Sequence, residues 1–141
     1  MLNTIVFAID GSEFSQRVLQ TLQQLQMQPA TKIILSYVIP LAASTRELAA
    51  EQLHTDVAAL PYLHIEKKLR SYQADLPVES EIEIVTGDPA EEIIRLSNIY
   101  QADLIVIGSR GFMGVKRIIQ GSVSSQVVEN ASCSVLVVKP E

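Results

Sequence analysis

Five short aliphatic runs, rich in β-branched residues, set the strongest limit on how this chain can fold: Thr4–Ile9, Lys32–Val38, Glu81–Val85, Leu104–Ile107 and Val135–Val138. Runs of this length read as strands. Between them the apolar residues recur at helical spacing. Val18, Leu22 and Leu25 follow the first run, and an uneven pattern from about Ser44 to Leu76 follows the second. Ala90, Ile93, Ile94 and Ser97 follow the third, and Val123, Val127 and Ala131 follow the fourth. Strand alternating with helix calls for parallel strands joined by crossovers, with both faces of the sheet covered. The expected architecture is an α/β fold: a five-stranded parallel sheet, doubly wound, in strand order 3-2-1-4-5, with helices on both faces. Residues 1–141 are read as a single domain, with no internal repeat or linker.

Local signals set the boundaries. Ser12 is the expected N-cap of the first helix, and Pro29 its terminator. Pro61 lies between Leu53, Val57, Leu60 and Ile65, Leu69, Tyr72, so a kink or break is expected there. Glu81-Ile82-Glu83-Ile84-Val85 alternates polar with apolar, which suits a sheet edge with one wet face. Asp88-Pro89-Ala90-Glu91 combines a capping carboxylate, a proline at the first helical position and a glutamate three residues after the cap.

Ligands of such sheets bind outside the carboxyl ends of the strands, where the strand order reverses. Here that point lies between the first and fourth strands, and it brings Asp10 beside Gly108. Leu104–Ile107 runs into Gly108-Ser109-Arg110-Gly111, and nine residues later Gly121-Ser122 opens the next helix. Glycines let a backbone approach an anion closely, and a helix start offers free N–H groups and about half a positive charge. Arg110, Lys116 and Arg117 are the basic residues between Arg95 and Lys139, and all fall in this loop. The residues alone describe a polyphosphate cradle.

Gly108-x2-Gly111-x9-Gly121-Ser122, continued by Val123-Ser124 and closed by Ala131-Ser132-Cys133-Ser134-Val135-Leu136-Val137-Val138, resembles the nucleotide-binding signature of the universal stress protein family. Asp10-Gly11-Ser12 after the first strand resembles it as well. Ser134 departs from the proline common in the family after the cysteine, and Tyr37 stands where a histidine often precedes the valine. The resemblance implies a Rossmann-like, ATP-binding stress-response protein, with Mg²⁺ or Mn²⁺ as a possible companion ion. The nucleotide-contacting positions it implies are Ala8, Asp10, Val38, Ile107, Gly108, Arg110, Gly111, Gly121, Ser122, Val123 and Ser124. Ala8 and Val38 would lie near the base, Val38 acting through its backbone. Asp10 would meet ribose or a phosphate-bound metal. The resemblance also implies a homodimer, and an apolar terminal strand left open is a template for pairing.

Plain structural roles compete at several of these positions. Asp10 can be a turn residue bonding its own backbone. Gly108, Gly111 and Gly121 can be turn glycines, and Ser122 and Ser124 helix caps. Arg110 can be a solvated loop charge; both readings of it stand. Lys116 and Arg117 read as surface charges, and Gly114 lies outside the signature. Cys133, just before the last strand, reads as a small core residue.

The totals exclude other classes. A net charge of −5 and the absence of Trp argue against a nucleic-acid binder, which needs a basic face and stacking aromatics. A single cysteine forbids an intrachain disulfide and suits a reducing, cytoplasmic setting. No run approaches the roughly 20 apolar residues of a membrane span. His54 and His64 have no partner at ligand spacing, so zinc is not expected. No nucleophile elbow, P-loop or dinucleotide fingerprint occurs, and no catalytic residue is assigned. The expected function is nucleotide-dependent regulation through an unidentified protein partner, with at most weak ATPase activity. The competing readings are a nucleotide-independent interaction protein and a phosphoryl- or adenylyl-transferring enzyme.

Overall fold

The computed structural model describes residues 2–10, 14–40, 55–109 and 123–139. Its strands are β1 (Thr4–Ile9), β2 (Lys32–Pro40), β3 (Glu79–Gly87), β4 (Leu104–Gly108) and β5 (Ser134–Val138). Among the described residues the helices are α1 (Phe14–Gln23), α2 (Thr55–Ala74), α3 (Pro89–Ile99) and α4 (Val123–Asn130). All strand pairs are parallel, and the order is β3-β2-β1-β4-β5. The expected doubly wound sheet is therefore the observed one.

β1 sits at the centre because nearly every residue in it is apolar and must be buried on both sides. Ile5, Phe7 and Ile9 join Val18, Leu19 and Leu22 of α1 and Leu69 and Tyr72 of α2 in one core. Val6 and Ala8 point the other way, into a second core with Ala90 and Ile93 of α3 and Val127 of α4. The amino ends of the three central strands are tied together by hydrogen bonds. The Asp103 carboxylate accepts from the backbone N–H groups of Asn3 (2.8 Å) and Thr4 (3.0 Å). Asp103 N–H donates to the Thr4 carbonyl and Lys32 N–H to the Asn3 carbonyl, each at 2.8 Å. The Thr31 hydroxyl donates to the Leu2 carbonyl at 2.7 Å.

Several local expectations need correction. α2 continues through Pro61 as one element, without the expected break. Pro61 lies in its second turn, so one N–H is lost there, while the later turns are held by Ile65, Leu69 and Tyr72 on the core. α1 ends at Gln23, well before Pro29, with its last turn tightened by Gln24 N–H to the Thr21 carbonyl and Leu25 N–H to the Leu22 carbonyl. In α3 Leu96 is buried along with Ala90, Ile93 and Ser97, whereas Ile94, expected on the same face, is only half-buried. The cap of α3 forms as expected: Asp88 accepts from Glu91 N–H at 3.0 Å, with Pro89 at the start. β3 is an edge strand, also as expected, and Glu79 and Glu81 are exposed on it. Ser12, the expected cap of α1, lies outside the described residues, as does the pattern between Ser44 and His54.

Candidate functional site

The chain lays β2 and β3 to one side of β1, then crosses to place β4 and β5 on the other. The order reverses between β1 and β4, and the carboxyl ends of both strands emerge together there. Ala8 is paired with Ile107, so continuing the register by one residue sets Ile9 against Gly108, with Asp10 the next residue out.

Asp10 is held by α1. The Ser15 hydroxyl donates to Asp10 Oδ1 at 2.7 Å, and Ser15 is only 3% exposed. Ser15 is not among the residues the sequence singles out, since Ser12 is the expected cap of α1. A signal for it exists, however. Ser15, Val18, Leu19 and Leu22 stand at i, i+3, i+4 and i+7, so Ser15 opens the buried stripe of α1.

Four apolar candidates are gathered on one face. Ala8, Val38 and Ile107 are buried, and Val123 packs against the same core. Ser36, paired with Ala8 and two residues before Val38, is also buried there, and its hydroxyl donates to the Phe7 carbonyl at 3.1 Å. Two small residues thus stand side by side on that face. Tyr37, the departure from the family pattern, packs on the opposite face, against the α1–α2 core.

On the β4 side, Gly108 ends the strand and pairs with Val138. Ser109 N–H donates to the Val138 carbonyl at 2.9 Å, so the exit from β4 is fastened to the end of β5. Ser124 lies buried in the first turn of α4, and Val127, one turn later, is fully buried. Arg110, Gly111, Gly121 and Ser122 lie outside the described residues, as do Gly114, Lys116 and Arg117.

The remaining candidates have other roles. Cys133 is half-buried against the α3–α4 core, and burial pushes its thiol above the usual range, so it stays protonated. His64 is exposed, while His54 lies outside the described residues. Among the described residues no group of three or more His, Cys, Asp or Glu is placed to hold a metal ion. Nor is any helix of the described residues long and apolar enough to cross a membrane.

Fold and strand reversal together define a doubly wound α/β protein with Asp10 and Gly108 at its switch point. The chain belongs to the universal stress protein family, whose model matches residues 1–139. The universal stress protein MJ0577 of Methanocaldococcus jannaschii is 26% identical over 161 residues, covering 99% of this chain and 96% of that one. Its solved structure superposes with a TM-score of 0.83 at 27% identity, covering 100% and 98% of the two chains. MJ0531 of the same organism is 42% identical over a shorter match of 73 residues, 52% of this chain and 43% of that protein. Two further structures share the fold. A universal stress protein in complex with cAMP has a TM-score of 0.70 at 22% identity, covering 98% of this chain and 97% of that one. An Arabidopsis thaliana family protein, At3g01520, with AMP bound has a TM-score of 0.67 at 23% identity, covering 99% and 92%.

Proposed function

We propose that this protein binds an adenine nucleotide, ATP foremost, between the carboxyl ends of β1 and β4, and that it acts as a stress-response regulator through a protein partner. One observation carries the reading. The strand order reverses between β1 and β4, where Ala8 pairs with Ile107 and Asp10 and Gly108 lie just beyond. The spacing Gly108-x2-Gly111-x9-Gly121-Ser122 and the AMP and cAMP held by two relatives of the same fold support it.

In this reading Ala8, Val38, Ile107 and Val123 form the apolar side of the site, and Val38 offers its backbone to the base. Gly108, Gly111 and Gly121 allow close approach, while Ser122, Ser124 and the helix start receive phosphate and Arg110 pairs with it. Asp10 is a single carboxylate with one oxygen already accepting from Ser15. Such a donor set fits Mg²⁺ or Mn²⁺ held mainly by phosphate oxygens and water, with one carboxylate from the protein. The ion would neutralise phosphate charge, and Ser15 would keep Asp10 oriented toward it. Hydrolysis is slow in this reading, since residues 108–122 contain no histidine or glutamate to position a water.

A cytoplasmic homodimer completes the reading. β5 is an edge strand whose Val135, Leu136 and Val137 are only half-buried, and a second copy of β5 would cover them. Sedimentation at micromolar concentration should give a dimer, and a monomer would contradict that part. For the ligand, nucleotide released from freshly purified, denatured protein and identified by mass spectrometry should be ATP or a close relative. Protein that carries no adenine nucleotide and takes none up on incubation would favour the nucleotide-independent interaction protein instead.

A further inference from the structure

The two edges of the sheet differ sharply in what they offer a neighbouring strand. β3 carries Glu79, Glu81 and Glu83 on alternate positions, while Ile82 and Ile84 face the α1–α2 core. Two of the glutamates are fastened in place: Lys32 of β2 forms an ion pair with Glu81, and the Tyr100 hydroxyl at the end of α3 donates to Glu83 Oε2. That bond pushes the Tyr100 hydroxyl up to about 12, so it remains a donor throughout the physiological range. β5 carries Val135, Leu136, Val137 and Val138 and has no charged residue.

Pairing geometry turns this difference into a rule of assembly. Two copies of one edge strand, joined antiparallel with the helices kept on matching sides, set residues of the same face opposite each other. For β5, in a pair centred on Leu136, that places Leu136 opposite itself and Val135 opposite Val137. For β3, in a pair centred on Glu81, it places Glu81 opposite itself and Glu79 opposite Glu83, and like charges directly opposite are unfavourable. A β5 strand laid on a β3 edge would set Val135 and Val137 against fixed glutamates. That heterologous contact is the one that, repeated, builds open filaments.

We propose that the charged β3 edge stops strand addition and so limits assembly to two copies joined through β5. This rests on the dimer described above, and adds to it the reason the assembly closes. The glutamates tied to Lys32 and Tyr100 cannot swing away to admit a strand without leaving those partners.

The test is sedimentation velocity over a range of concentrations on the wild type and on the triple variant Glu79→Thr, Glu81→Thr, Glu83→Thr. Threonine favours strands and keeps each position polar. The wild type should remain a dimer at every concentration, while the variant should form species beyond the dimer that grow with concentration. Circular dichroism checks folding, and Glu81→Gln with Glu83→Gln, which removes charge but keeps size, serves where the triple variant does not fold. A folded variant that stops at the dimer overturns this inference and leaves the β5 dimer intact. A monomeric wild type overturns both.

Discussion

The Ser15 hydroxyl donates to Asp10 Oδ1 at 2.7 Å, joining the end of β1 to the first turn of α1. This bond fixes the one carboxylate that the proposed site uses. A buried hydroxyl bonded to a carboxylate contributes on the order of 1–2 kcal/mol. Ser15→Ala should therefore lower unfolding free energy in urea by about that much. Asp10→Asn keeps an acceptor for Ser15 and should cost less stability, yet it removes the negative charge offered to a cation. Calorimetry with ATP in Mg²⁺ and in chelator should show the Mg²⁺ enhancement shrinking in Asp10→Asn. An undiminished enhancement would remove Asp10 from the metal's surroundings.

Gln101 ends α3 in the left-handed region, with φ of 51°, where glycine is the usual residue. The hydrogen bonds of a Schellman cap surround it: Gln101 N–H donates to the Asn98 carbonyl at 3.2 Å and Ala102 N–H to the Ser97 carbonyl at 2.8 Å. A side chain in that conformation costs roughly 1–2 kcal/mol, partly offset by the freedom glycine adds to the unfolded chain. Gln101→Gly should thus stabilise the protein by about 1 kcal/mol, read as a higher urea midpoint with unchanged slope. A lower midpoint would contradict the strain argument.

Asp103 illustrates a contact that no reading along the chain exposes. Its place at the start of β4 is legible, but its two acceptor bonds reach Asn3 and Thr4, up to 100 residues away. Those N–H groups, Thr4's first and then Asn3's, hold the carboxyl below its ordinary value. A depressed pKa contributes stability that is present above the unfolded value near 3.8 and lost as pH falls through the folded one. Asp103→Asn should lose about 1 kcal/mol at neutral pH, exposure to solvent weakening the effect, and its stability should fall less steeply in acid. An acid profile parallel to the wild type would contradict this.

The same contrast runs through the molecule. The strand order, the wet edge at β3 and the Asp88 cap are legible along the chain because each rests on residues adjacent in sequence or on simple periodicity. The partner of Ser15 is fixed by where α1 packs, and a polar residue opening a buried stripe resembles an ordinary cap. Pro61 does not break α2, because the penalty of one lost N–H is local, whereas Leu69 and Tyr72 hold the helix through burial in the core. Ile94 and Leu96 differ in burial by the direction α3 faces, which depends on β1 and β2 more than on its own spacing. Ala8, Val38 and Ile107 share one face of the sheet, since parallel register brings equivalent positions of neighbouring strands together.

Calorimetric titration with ATP, AMP and adenosine, on the wild type and on Gly121→Val, tests the nucleotide reading most directly. ATP and AMP should bind the wild type, and adenosine at least tenfold more weakly, because charge-assisted bonds to phosphate contribute roughly 1.5–3 kcal/mol each. Gly121→Val, by placing a branched side chain at the proposed phosphate approach, should weaken ATP on the order of a hundredfold or more while Gly114→Ala changes little. Equal affinities for ATP and adenosine, or unchanged ATP affinity in folded Gly121→Val, would contradict the account.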